Sequence, residues 1–90
     1  MFSLIYSKQF EKDFVKAKKS NFDIAKLECA LKILHNTGTL PFSKYKTHKL
    51  KGEWISAFEA HLEPDRLLIW YKKDKEIFLD RTGSHSELFK

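Results

Sequence analysis

The sequence predicts one α+β domain that covers residues 1–90, with its elements in the order β-α-α-β-β-β-β. Apolar residues alternate at the start of the chain and recur at helical spacing in the following third. They return in the second half as short runs rich in β-branched and aromatic residues. We therefore expect an N-terminal strand, a two-helix hairpin and an antiparallel sheet whose one face is covered by the helices.

The first half of the chain accounts for the strand and the helix hairpin. Residues 2–6 alternate in polarity, as a strand with one buried face does. Ser7 is a suitable N-cap for a helix with apolar residues at helical spacing over 10–17. A second apolar stripe covers residues 24–34, and Gly38 predicts where that helix ends.

The second half predicts the sheet. Short runs typical of strands cover residues 47–51, 54–62, 66–72 and 76–82. Pro64 stands where a type I turn favours proline, and residues 73–75 can form the next reversal. These strands should pair in sequence as an antiparallel meander.

The composition indicates in which cellular compartment the protein acts and which kinds of partner it binds. Aromatic residues make up 14% of the chain, which is enough to close one core, and the single cysteine, Cys29, excludes an internal disulfide. The apolar opening is too short for a signal peptide or a membrane span, so we expect a cytoplasmic protein without a membrane partner. The net charge of +5 favours polyanionic partners such as RNA.

Residues suited to proton transfer are concentrated in the β-rich half. His48, His61 and His85 lie there, together with Asp65 and Arg81. Imidazole is the side chain best able both to take and to give a proton near neutral pH. His61 ends one predicted strand and Asp65 precedes the next, while Arg81 and His85 lie at the end of the last strand. We expect these side chains to share one pocket.

A zinc enzyme is a competing interpretation, because three histidines and a carboxylate match the ligand chemistry of zinc. The pattern H-x12-H-x3-D-x19-H, over residues 48–85, lacks the closely spaced ligand pairs of familiar zinc motifs. A bound metal would also leave Arg81 without a role. The residues favour a site that uses no metal and no other cofactor.

A non-catalytic RNA-binding module is a third interpretation. Its lysines would supply affinity, and Trp54, Trp70 and Phe89 would supply stacking surfaces. Both tryptophans are also suitable core residues. Replacing His85 with alanine separates this module from an acid–base enzyme, because only the enzyme would lose turnover while still binding RNA.

Three motifs carry a family resemblance. They are H-x-L-x-G-x-W at 48–54, E-x-H-x-x-P-D at 59–65 and R-x-G-x-H-x-x-L-F at 81–89. In this order they resemble the YafQ-type toxins, which belong to the RelE superfamily of bacterial toxin–antitoxin systems. The resemblance extends over essentially the whole chain, because the predicted strand and helix hairpin that precede the motifs also fit.

The resemblance implies the toxin of a type II toxin–antitoxin system. Such a toxin is a metal-independent endoribonuclease that cleaves mRNA, mainly on the ribosome. A cognate antitoxin keeps it inactive until the antitoxin is degraded. The resemblance also implies that only the toxin–antitoxin complex binds promoter DNA. The basic composition predicts an acidic, partly disordered antitoxin segment that folds across the toxin. The chain alone is expected to be a monomer.

The resemblance also assigns roles by position. The catalytic and phosphate-binding residues of the family match His48, His61, Asp65, Arg81 and His85. Phe89 matches an aromatic residue near the substrate base, and Arg66, Lys49 and Lys51 are further candidates for RNA contact.

The roles follow from the chemistry of RNA, whose 2′-hydroxyl can attack the adjacent phosphate. We expect His85 to act as the general acid and Asp65 or His61 as the base or the orienter of the base. His48 would serve as a second acid–base group or as a phosphate contact.

Two positions depart from the family pattern. Phe58 stands where relatives commonly carry arginine, and Arg66 stands where an apolar or aromatic residue is usual. Our hypothesis is that Arg66 partly replaces the missing cation.

Overall fold

The structure, a computed structural model, describes residues 1–50 and 57–89. Its elements are β1 (Ser3–Tyr6), α1 (Lys8–Lys19), α2 (Ile24–Thr37), α3 (Phe42–Tyr45), β2 (His48–Lys49), β3 (Ala57–Glu63), β4 (Arg66–Lys73), β5 (Glu76–Gly83) and α4 (His85–Leu88). The predicted order of strand, helix hairpin and sheet is confirmed. The one-turn helices α3 and α4 are additions, because a single turn is too short to show a helical period in the sequence. Lys51 and residues 52–56 of the predicted strands lie outside the described residues.

The strands described form one sheet in the order β1-β5-β4-β3-β2. Strands β2 to β5 pair antiparallel, as predicted. β1, for which the sequence predicted no pairing direction, lies beside β5 in parallel orientation with Tyr6 opposite Leu79. Alternation identifies a strand but does not encode the direction of its partner, and the long connection between β1 and β5 permits either direction. The sheet is therefore mixed.

The start of α1 and the end of α2 lie at the predicted residues. The hydroxyl of Ser7 accepts a hydrogen bond from the backbone N–H of Phe10 and so caps α1. α2 ends at Gly38, whose φ of 80° lies in the left-handed region that favours glycine. A side chain at this position would also collide with the ring of Phe2.

The helices bury their apolar stripes against one face of the sheet. Leu27 and Leu34 of α2 pack into the same core as Leu68 and Trp70 of β4. Trp70 is only 1% exposed, so it belongs to the core and cannot be a stacking surface for RNA. Trp54 lies outside the described residues.

A smaller apolar cluster lies on the other face of the sheet, because side chains alternate along a strand. It is formed by Ala57, Leu67, Ile69 and Leu88. Leu88 belongs to α4, so this cluster holds the short C-terminal helix against the sheet. Within residues 1–50 and 57–89, no helix combines the length and apolar character that a membrane crossing requires.

Candidate active site

Three imidazoles lie in a row across the structure. His48 is on β2, His61 is on β3 and His85 begins α4. The ring centroids of His48 and His61 are 6.2 Å apart, and those of His61 and His85 are 5.9 Å apart. Strand register explains the first pair, because His48 is opposite Glu59 and side chains two residues apart on a strand share a face. The fold thus brings together histidines that are distant in sequence.

Asp65 lies in the turn between β3 and β4 and contacts the first residue of α4. Its Oδ1 accepts the backbone N–H of His85 at 3.0 Å and lies 2.8 Å from Nδ1 of the His85 ring. The backbone hydrogen bond, and then the imidazole, lower the pKa of Asp65 below its ordinary value of 3.8. An ionised carboxylate only accepts hydrogen bonds, so Nδ1 of His85 carries the hydrogen and Nε2 is left for proton exchange with a substrate.

Glu59 has no role in the sequence-based prediction but contacts two of the imidazoles. It is only 5% exposed, and its Oε1 lies 3.2 Å from Nε2 of His48 and 3.4 Å from Nε2 of His61. A carboxylate at such depth requires partners that donate hydrogen bonds or carry positive charge. The signal in the sequence was its spacing of two from His61 on a predicted strand, but its contact with His48 depends on the register of β2 and β3.

The same three side chains form a set of potential metal ligands. One ligand atom each from His48, Glu59 and His61 lies within 4.8 Å of the other two. Nδ1 of His48 lies 3.0 Å from the carbonyl oxygen of Lys46, which leaves Nε2 for coordination, as is usual for metal-binding histidines. Two imidazoles and a carboxylate are donors that zinc and copper accept. The zinc interpretation of the sequence used Asp65 and His85 as ligands together with His48 and His61. The set in the structure has Glu59 instead of those two residues.

Arg81 faces α1 and lines a groove whose lining includes neither Asp65 nor any of the three imidazoles, so the prediction that it shares their pocket is not confirmed. Its Nε and one Nη donate hydrogen bonds to the carboxylate of Asp13 at 2.7 and 3.3 Å. Asp13 is buried and also accepts the backbone N–H of Thr82 and the side-chain amide of Gln9. The hydrogen bond to Asp13 raises the pKa of Arg81, so the guanidinium is a permanent cation. A β-bulge at Asp80 directly precedes Arg81. Ile69 is opposite Arg81 and Trp70 is opposite Leu79, so Asp80 has no partner residue on β4.

A groove of about 280 Å³ lies beside Arg81, between α1 and the end of β5. We call it the basic groove, after the four cations that line it, Lys12, Lys16, Arg66 and Arg81. It adjoins the imidazoles through two stretches of backbone. Arg66 directly follows Asp65, and the lining residue Glu87 is two residues after His85.

Two of the proposed substrate contacts flank these groups. The ring of Phe89 lies 6.4 Å from that of His85, centroid to centroid, at the end of the row of imidazoles. The guanidinium of Arg66 lies 5.3 Å from the centre of the Phe22 ring, and one of its Nη atoms lies 3.5 Å from Oγ of Ser20.

The remaining candidates lie around β2 and β3. Nζ of Lys49 lies 5.7 Å from the centre of the Phe58 ring, and Lys51 lies outside the described residues. Phe58 stacks on the buried Trp70, on the opposite face of β3 from Glu59. The cation expected at position 58 is thus replaced by a side chain that packs against the core.

Comparisons with known proteins agree with this architecture. Residues 2–90 match the family described as the bacterial toxin of type II toxin–antitoxin systems, YafQ. The mRNA interferase toxin YafQ of Escherichia coli strain K12 is 42% identical over 85 residues, which are 93% of this chain and 91% of the relative.

Solved structures share the fold. A chain in the crystal structure of the E. coli DinJ–YafQ complex is 40% identical, with a TM-score of 0.88 and coverage of 100% of both chains. A copper-bound mutant toxin from Helicobacter pylori is 39% identical, with a TM-score of 0.88 over 99% of this chain and 100% of that one. On this sequence and structural evidence, the chain belongs to the YafQ family of bacterial toxins from type II toxin–antitoxin systems.

Proposed function

We propose that this protein is the toxin of a type II toxin–antitoxin system and acts as an endoribonuclease on mRNA. Membership of the YafQ family supports the toxin role, and the E. coli relative is named an mRNA interferase. The observation that carries the proposal is the Asp65–His85 pair beside His61, whose ring centroid is 5.9 Å from that of His85. At this separation both imidazoles can reach atoms of one phosphodiester.

The reaction uses the nucleophile that RNA itself supplies. A base removes the proton from a 2′-hydroxyl, the 2′-oxygen attacks the adjacent phosphorus, and an acid protonates the departing 5′-oxygen. The products are a 2′,3′-cyclic phosphate and a 5′-hydroxyl. This step needs no activated water, so we propose that cleavage is independent of metal.

His85 is the general acid in this scheme. Asp65 accepts the hydrogen of Nδ1, so Nε2 delivers the proton to the 5′-oxygen. The carboxylate also stabilises the imidazolium that exists before the transfer. Proton transfer by a positioned group typically accelerates a reaction by about 10²- to 10⁴-fold.

His61 is the general base. If its Nε2 donates to the buried Glu59, its Nδ1 has the lone pair that takes the 2′-hydroxyl proton, and Glu59 stabilises the resulting positive charge. Both nitrogens of His48 already face oxygen acceptors, Glu59 and the carbonyl of Lys46. Neither nitrogen is then left for the substrate, so we assign His48 to orienting Glu59 rather than to proton transfer or phosphate contact.

The surrounding residues bind the substrate. Arg81 provides a permanent cation for phosphate in the lining of the basic groove. A guanidinium suits phosphate because it donates hydrogen bonds in a fixed fork. Phe89 offers a face on which a base can stack. Lys49, Lys51 and Arg66 would add charge along the RNA.

A metal-assisted nuclease is the second candidate, favoured by the His48, Glu59 and His61 ligand set and by the copper-bound relative from H. pylori. A bound ion would supply a Lewis acid near the phosphate. The same ion would occupy nitrogens that the acid–base scheme uses. Cleavage assays in excess chelator, with elemental analysis of the purified protein, separate the two, because only the metal enzyme would lose activity.

The proposed partners follow from the toxin role. An antitoxin would cover the toxin, as the DinJ–YafQ complex of E. coli suggests by analogy. We propose that the mRNA is cut on the ribosome, and that only the complex with antitoxin binds promoter DNA. We propose that the protein acts in the cytoplasm, where these partners are found.

The test is to incubate the wild type and His85→Ala with defined RNA, with and without ribosomes, and to analyse the product ends. His35→Gln is the matched control, because His35 lies on α2 with its Nδ1 2.7 Å from the carbonyl oxygen of Phe2. We expect 2′,3′-cyclic phosphate ends from the wild type and the control, and loss of most turnover in His85→Ala. Other product ends, or full activity in His85→Ala, would refute the mechanism.

A further inference from the structure

The residues that line the basic groove carry more positive than negative charge. Its lining contains four cations and two carboxylates, Asp13 and Glu87. Asp13 is paired with Arg81, and Glu87 lies 2.6 Å from Nζ of Lys16. The lining residues therefore carry an excess of two positive charges, in a concave site where a polyanion is concentrated.

Two contacts hold the walls of the groove in place. Asp13 joins the middle of α1 to Arg81 and to the backbone N–H of Thr82 on β5. The Lys16–Glu87 ion pair joins the last turns of α1 to α4. Because Lys12 and Lys16 are four residues apart, they lie on the same face of this anchored helix. The part of α1 that carries both lysines is thus held beside α4, which carries His85.

Arg81 keeps donors for a second partner. A guanidinium has five N–H groups, and Asp13 accepts two of them, so three remain for other acceptors. Phosphate oxygens match these donors.

We propose that the basic groove binds a phosphodiester that flanks the scissile one in the RNA substrate. This rests on the proposed ribonuclease activity, because it is the row of imidazoles that places the scissile phosphate beside α4. An RNA strand that crosses His85 and Asp65 meets Arg66 and the residues around Glu87 next along the surface. Lys12 and Arg66 supply the charge for the flanking phosphate, which also gives a function to the arginine that departs from the family pattern.

The experiment measures binding without cleavage. The probe is a short single-stranded RNA with a 2′-deoxynucleotide at the cleavage position, and affinity is measured by fluorescence anisotropy over a series of salt concentrations. The variants are Lys12→Ala and Arg66→Ala. The matched control is Lys32→Ala, on an exposed position of α2.

Each groove variant should bind several-fold more weakly than the wild type, and the slope of log affinity against log salt should fall by about 0.7 per lost phosphate contact. Lys32→Ala should retain the wild-type slope. A neutral methylphosphonate at the flanking linkage should weaken wild-type binding and leave Lys12→Ala nearly unaffected. Equal slopes for Lys12→Ala and Lys32→Ala would overturn the proposal.

The outcome is separable from that of the ribonuclease proposal. If the wild type releases cyclic phosphate ends but the groove variants bind as the wild type does, the groove proposal alone fails. If the groove variants lose affinity but no cyclic phosphate forms, the cleavage mechanism fails and the binding groove stands.

Discussion

The carboxylate of Asp65 holds His85 at two points, since one oxygen accepts the backbone N–H at 3.0 Å and lies 2.8 Å from Nδ1 of the ring. A turn between two strands thereby fixes both the start of α4 and the orientation of its first side chain. The same contacts lower the pKa of Asp65, so the carboxylate is ionised over the whole range in which imidazoles titrate. The pair therefore persists whether the ring is neutral or charged.

We predict that Asp65→Asn reduces the rate of RNA cleavage by about 10²-fold or more while RNA binding changes little. The amide keeps the size of the side chain but loses the charge that selects the Nδ1–H form of His85. The measurement is the single-turnover rate at saturating enzyme. Asp74→Asn is the matched control, because Asp74 lies in the corresponding turn between β4 and β5 with a φ of 56°, a conformation that asparagine tolerates. A wild-type rate for Asp65→Asn would contradict the role of Asp65.

We predict that Glu59→Gln slows cleavage by about tenfold to a hundredfold, which is part of the contribution of acid–base catalysis. Glutamine has nearly the same shape but cannot stabilise an imidazolium at His61. NMR of the ring nitrogens should show the Nε2–H form of His61 in the wild type and a changed distribution in the variant.

The control for this substitution is Glu63→Gln, at the end of the same strand. Glu63 pairs at the surface with Lys26, Oε2 to Nζ at 3.0 Å. The Glu63→Gln variant should cleave RNA at the wild-type rate. If both glutamine variants behave alike, Glu59 has no part in the chemistry.

We predict that Asp13→Ala lowers the free energy of unfolding by about 2–3 kcal/mol, because it leaves the guanidinium of Arg81 and the N–H of Thr82 without their acceptor. This loss of stability should be smaller than that for breaking a fully buried ion pair, since the side chain of Arg81 is 25% exposed. Urea denaturation measures the change. Glu11→Ala, at an exposed position of the same helix, should stay within about 0.5 kcal/mol of the wild type. A similarly small effect for Asp13→Ala would show that the pair does not stabilise the fold.

We predict that the Glu87 carboxylate stabilises the fold above pH 4.5 and that this stabilisation disappears as the pH falls towards 2. The side-chain contact with Lys16, and then the backbone N–H of Ser84, lower the pKa of Glu87 from 4.5 to about 2. The folded protein thus binds this proton more weakly than the unfolded chain, so stability is lost on acidification. In thermal unfolding, the wild type should melt above Glu87→Gln at pH 6, and the difference should vanish near pH 2. A difference that does not change with pH would contradict this linkage.

Local residue chemistry was sufficient to predict much of the fold. Ser7 and Gly38 set the ends of helices through contacts within a few residues, and the Pro64 turn places Asp65 after β3. The convergence of His61, His85 and Asp65 followed from strand ends meeting in a meander. These features depend on short spacings, which a sequence displays directly.

Other features required the three-dimensional structure. The contact of Glu59 with His48 depends on the register of β2 against β3, and the pairing of Asp13 with Arg81 joins residues 68 positions apart. The parallel orientation of β1 likewise depends on packing across the whole sheet. The sequence alone determined which chemical groups the site contains and where most helices and strands begin, because propensity and periodicity are local. Only the tertiary structure decided which carboxylate faces which cation, because register and long-range pairing are set by the free energy of the complete fold.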